Sequence, residues 1–299
     1  MNLYKTNKEH SVILFFITLI LLASDYLNFN YQISFLTIIC FFLISTIGVT
    51  HGALDNLKGY KLLKIYGIKK NYVFYLAYIT LSFFTILFWI LFPMSTLALF
   101  LLVASYHFGK EDSSFGKLKK MKLNGLLFFL KGSIVILAPL IFHTDETLKI
   151  FEILGVQLKI TNTDILFFLI ALSLLSNFFI NNNAKFSLLD WITILILNIT
   201  FSPLVAFTIY FCFLHSIRHS ITLIFELDKS FKSGLKKFVN KAIPLTFITG
   251  AIFSIAIYLL NNFIMLDEAI YKVIFIGLAS LTFPHILLEY LLEKNEKKS

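Results

Sequence analysis

The chain has 299 residues, 58% of them hydrophobic and 14% charged, with a net charge of +9 and a mean hydropathy of +0.83. That much apolar side chain excludes a soluble domain of this length, and the chain reads as an all-α integral membrane protein with many spans. Cys40 and Cys212 both lie in apolar segments and form no CxxC, which excludes a disulfide framework and a thiolate metal site.

The first segment carries Lys5 and Lys8 ahead of an apolar core, as a signal sequence does. No small-x-small cleavage site follows, so the segment is kept as a span. Ten apolar stretches follow one another near residues 11–28, 33–51, 72–92, 94–108, 123–142, 163–180, 187–201, 203–225, 242–261 and 269–292. Each comes near the ~20 residues that a helix needs to cross a bilayer. The shortest, 94–108 and 187–201, put the expected count at eight to ten transmembrane helices. Short connections and the lack of an internal repeat or soluble appendage make residues 1–299 one helical domain. Residues 147–159 have helical apolar spacing with lysines and are expected to lie on the outer surface.

The basic residues orient the bundle. With the N-terminus inside, all but Lys149, Lys159 and Lys272 fall on or near one side, including Lys58 to Lys70, Lys110 to Lys122, Lys229 to Lys241 and Lys294 to Lys298. This is the positive-inside pattern of a multi-pass inner-membrane protein with both termini cytoplasmic. The positive charge is therefore a topology signal with some contact to anionic lipid, and nucleic acid is not an expected partner.

On this topology five of the seven histidines reach one level. His51 ends the second span, His107 ends the fourth, His215 and His219 lie in the eighth and His285 in the tenth. At 1.5 Å per residue they sit about 18–27 Å along helices that all run from outside to inside. His215 and His219 share one helix face at i, i+4 spacing. Arg218, the only arginine against 25 lysines, stands between them. Ionisable groups inside a membrane are costly and are functional by default. Convergent neutral imidazoles suit Fe, Zn, Cu or Ni. Their second nitrogens need carboxylate or carbonyl partners, for which Asp55, Glu111, Asp112 and Glu289 lie four or five residues after a histidine. Arg218 is a further candidate for that outer shell. His10 and His143 are given no role. Gly48 and Gly52 flank His51 at the spacing that brings helices close, Gly109 follows His107, and Pro284 is expected to kink the helix just before His285.

The residues alone leave other classes open. A metal-ion or proton transporter would extend polar groups through the whole membrane, whereas these gather on one side. A di-iron desaturase needs about eight histidines in several boxes, and one helix face cannot ligate both sides of a haem.

Gly48-Val49-Thr50-His51-Gly52-Ala53-Leu54-Asp55, His107-Phe108-Gly109 with Asp112, His215-Ser216-Ile217-Arg218-His219 and Pro284-His285 occur in that order. The set resembles the Brp/Blh family of bacterial membrane β-carotene 15,15′-dioxygenases. The resemblance implies an Fe(2+) oxygenase that splits β-carotene at its central double bond with O2 into two all-trans-retinal molecules. It implies His51, His107, His215 and His219 as iron ligands, with His285 as a further ligand or outer partner. It also implies a retinal-binding rhodopsin as the consumer of the product. An intramembrane site lets an apolar C40 polyene enter sideways from the bilayer.

Overall fold

A computed structural model describes residues 3–26, 33–113, 123–180 and 184–296. Among the described residues every regular element is helical: α1 (Leu3–Tyr26), α2 (Ile33–Thr46), α3 (Asp55–Ile65), α4 (Tyr72–Leu91), α5 (Pro93–Glu111), α6 (Asn124–Gly132), α7 (Ile134–Phe142), α8 (Thr144–Ile153), α9 (Asp164–Ile180), α10 (Ala184–Thr200), α11 (Pro203–Ile209), α12 (Ile217–Leu227), α13 (Phe231–Leu260) and α14 (Leu266–Glu296). A 3-10 turn, Gly48–Gly52, links α2 to α3, and a π-helical stretch, Tyr210–Ser216, links α11 to α12.

Each of the ten apolar stretches is helical over most of its length. Seven helical segments among the described residues are long and apolar enough to cross a membrane. The other three fall short for physical reasons. α9 and α10 have 17 residues each, and α5 closes on His107, Lys110 and Glu111. The protein is thus an all-α membrane protein. Lys117, Lys119, Lys120, Lys122, Lys297 and Lys298, which entered the charge argument, lie outside the described residues.

Two local features depart from the sequence reading. The stretch read as a surface helix over 147–159 is helical only over Thr144–Ile153. It stops because Gly155 takes φ +88°, and the Val156 amide donates back to the Phe151 carbonyl at 2.8 Å, the Schellman way of ending a helix. Its apolar side, Ile150 and Phe151, is buried in the core. α14 is one continuous helix that carries Pro284 inside it, just before His285. The eighth span is interrupted by the π turn instead of running as a regular α-helix, a widening that recurs at functional sites.

Close approach of backbones sets the site's frame. A Cβ on Gly109 would stand 1.7 Å from the Phe128 carbonyl oxygen, and one on Gly132 would stand 1.9 Å from that of Ser105. Glycine at both positions therefore lets α5 and α6 touch, which fixes the end of α5 that carries His107, Glu111 and Asp112. On the other side a Cβ on Gly48 would lie 2.7 Å from the Phe211 ring. The Ser216 hydroxyl donates to the Gly48 carbonyl at 3.0 Å. These contacts lock the 3-10 turn of His51 against the π turn of His215.

Candidate metal centre

Five imidazoles from the 3-10 turn, α5, the π turn, α12 and α14 meet in one buried cluster. His51 is at its middle, with ring centroids 6.4 Å from His107, 5.3 Å from His215, 5.9 Å from His219 and 5.2 Å from His285. His107 and His285 are 5.3 Å apart, as are His107 and His215. One ring nitrogen from each of His51, His107 and His285 lies within 4.8 Å of the other two. His10, on α1, and His143, just before α8, stand elsewhere.

The two nitrogens of each ring have different surroundings. His51 Nδ1 lies 2.7 Å from the Gly48 carbonyl. His215 Nδ1 is 3.2 Å from Asp112 Oδ1, and His219 Nδ1 is 2.9 Å from Glu111 Oε2. His285 Nδ1 is 2.9 Å from both oxygens of Asp55, and His107 Nδ1 faces Glu289 at 3.9 Å. Carbonyls and carboxylates only accept, so at His51, His215, His219 and His285 Nδ1 is the donor and the lone pair is left on Nε2. The Nε2 atoms of His107, His215, His219 and His285 are buried without a hydrogen-bond partner. Four orphaned ring nitrogens on clustered side chains are costly in a protein alone. They are what a bound cation requires, so the donor set fits a metal ion.

The carboxylates foreseen as partners are present, but they serve across helices. Asp55 pairs with His285 on α14, Glu111 with His219 on α12 and Asp112 with His215 on the π turn. Glu289 turns to His107 and also accepts from Lys58 Nζ at 2.8 Å. Arg218 donates to both oxygens of Asp190, at 2.9 and 3.2 Å, and to Ser11 at 3.1 Å. It thereby joins α12 to α10 and α1.

Tyrosines form a tier that sequence reasoning missed. Tyr78 donates to Asp55 Oδ2 at 3.1 Å, and Tyr210 donates to Asp112 Oδ2 at 2.7 Å. Two Tyr–Asp–His chains of the same order therefore support His285 and His215. Lys131, also unassigned beforehand, donates to the Asp112 carbonyl at 2.8 Å. Asp190 had a legible signal, being an acid inside an apolar stretch of a chain with one arginine. The tyrosines had none, since there are 13.

Asp112→Ala is expected to weaken metal binding by about 10–100-fold, the usual effect of losing the partner that orients a ligating imidazole. Competition with a calibrated chelator measures it, and Tyr210→Phe, which keeps the carboxylate, is expected to weaken binding less.

The chain matches the family model described as Beta-carotene 15,15'-dioxygenase over residues 42–293. It is 30% identical over 252 residues to the Beta-carotene 15,15'-dioxygenase of uncultured marine bacterium 66A03, which covers 82% of this chain and 90% of that protein. No solved structure matches it. The matched span contains all five clustered histidines and their four carboxylates, and the chain belongs to the beta-carotene 15,15'-dioxygenase family.

Proposed function

We propose that this chain is an Fe(2+) dioxygenase that cleaves β-carotene at the 15,15′ double bond with O2, giving two all-trans-retinal molecules. The observation that carries the reading is the set of buried, partnerless Nε2 atoms at the centre of a family member's polar core. His51, His107, His215 and His219 are the proposed ligands, with His285 as a further ligand or an outer partner. Residues 1–299 act as one domain in the inner membrane with both termini cytoplasmic, a topology supported by the lysine distribution.

Bound iron would supply an open coordination position for O2 at the double bond. The chain's own residues do the rest. Asp112, Glu111 and Asp55 hold the Nδ1 protons of His215, His219 and His285 and so aim their Nε2 lone pairs inward. Tyr78 and Tyr210 keep two of those carboxylates oriented. Phe108 and Phe211 lie against His215, with centroids 4.9 and 5.8 Å away, and exclude water from that side. Retinal leaves through the bilayer toward a retinal-binding membrane protein such as a rhodopsin.

The test uses protein purified in detergent, stripped by a chelator and reloaded. Retinal is expected by chromatography with Fe(2+), not with the stripped protein, and much less with Zn(2+). Cleavage by metal-free protein, or no retinal after iron loading, overturns the reading.

A further inference from the structure

A cavity of about 140 Å³ reaches from the surface of the bundle to His51 and His285. Its walls are Tyr78 and Ile79 of α4, Thr246 and Thr249 of α13, and Leu278 and Leu281 of α14. α4 and α13 each pack on α14 but make little contact with one another, so the cavity opens in the gap between them. Both are long and apolar enough to cross a membrane. Their outer faces are bare apolar side chains: Ile79 is 66% exposed, and Phe247, on α13 but outside the cavity, is 76% exposed. The opening therefore faces lipid, and at the inner end Tyr78, whose hydroxyl is held by Asp55 and the Leu281 carbonyl, stands beside His51 and His285 in the lining.

We infer that this gap between α4 and α13 is the substrate's entry slot, through which an apolar polyene passes sideways from the bilayer to the histidine cluster. The inference rests on the carotenoid-cleaving reading and adds the route and the residues that set it. Mostly apolar walls and a lipid-facing mouth suit an occupant that partitions into the membrane, and the two histidines at the inner end connect the slot to the metal centre. A volume of 140 Å³ is below the ~300–1,000 Å³ of sites that engulf a drug-sized ligand. The slot therefore takes the part of the polyene next to the histidines, and the remainder lies in the groove between α4 and α13.

The experiment places a bulky ring in the slot with Thr249→Trp and uses Phe247→Trp, on the lipid face of the same helix, as the control. Two readouts are taken: kcat/KM for β-carotene in the iron-loaded protein, and β-carotene retained by the metal-free protein after detergent washing. Thr249→Trp is expected to lower kcat/KM at least about tenfold, chiefly through KM, because ground-state binding is what it obstructs. Retention should fall in step, metal content should stay unchanged, and Phe247→Trp should behave as the parent. Equal binding and turnover in the two variants overturns the slot. If the parent retains β-carotene without cleaving it and Thr249→Trp abolishes retention, the slot stands and the carotenoid-cleaving reading falls. Should Thr249→Trp lose its metal or its fold, Ile79→Trp on the opposite lip is read by the same two measurements and the same outcomes.

Discussion

His51→Ala is expected to leave protein that folds, retains little or no metal and makes no detectable retinal. His51 is the ring that stands within 6.4 Å, centroid to centroid, of all four others, so its loss opens the middle of the donor set rather than an edge. The Ser216 hydroxyl bond to the Gly48 carbonyl and the fit of Phe211 on Gly48 remain in the variant and preserve the turn. The loss in metal affinity should therefore exceed the ~100-fold upper range for removing an outer partner of a ligand. Metal per chain by elemental analysis and retinal by chromatography are the two measurements. His285→Ala beside it separates the two roles open to that residue: a ligand gives a deficit close to that of His51→Ala, an outer partner one close to that of Asp112→Ala. His51→Ala protein that holds one metal per chain and turns over normally would overturn the centre.

The histidines were legible because imidazoles inside apolar runs are rare, and lining up the spans by charge placed them at one depth. The acids were legible as a set but not as pairs. Asp55 follows His51 by four residues, yet the backbone between them is a 3-10 turn that ends at Gly52, and Asp55 opens a new helix, α3. The i, i+4 geometry that would join them does not exist there, and the carboxylate turns to His285, 230 residues away in the chain. The ten apolar stretches were readable because hydrophobic length is a strong signal. α3 was not, because DNLKGYKLLKI is neither apolar enough for a span nor set apart by turn residues. The π turn at Tyr210–Ser216 leaves no mark in composition or spacing. It comes from packing, with Phe211 wedged on Gly48 on one side and Tyr210 drawn to Asp112 on the other.

Arg218→Ala should be the most destabilising single change in the polar interior. Arg218 and Asp190 are both buried, at 2% and 4% side-chain exposure, and the guanidinium makes a two-pronged pair with the carboxylate. Removing the cation leaves Asp190 as a charge without its partner in an apolar setting, which in protein interiors costs about 3–5 kcal/mol. The damage also reaches the metal. Arg218 lies between His215 and His219 and ties α12 to α10 and α1, so α12 loses its tether and His219 its position. Arg218→Lys is expected to recover only part of the loss, since an ammonium is a point charge and cannot match both oxygens. Arg218→Met with Asp190→Leu removes both charges together, and replacing a buried pair by apolar residues of similar size is often neutral. The double variant should therefore unfold at a higher temperature than Arg218→Ala in the same detergent, and should hold more metal. If Arg218→Ala unfolds with the parent, or if the double variant is no better than the single, the buried pair is not what anchors α12 and the order of these effects is wrong.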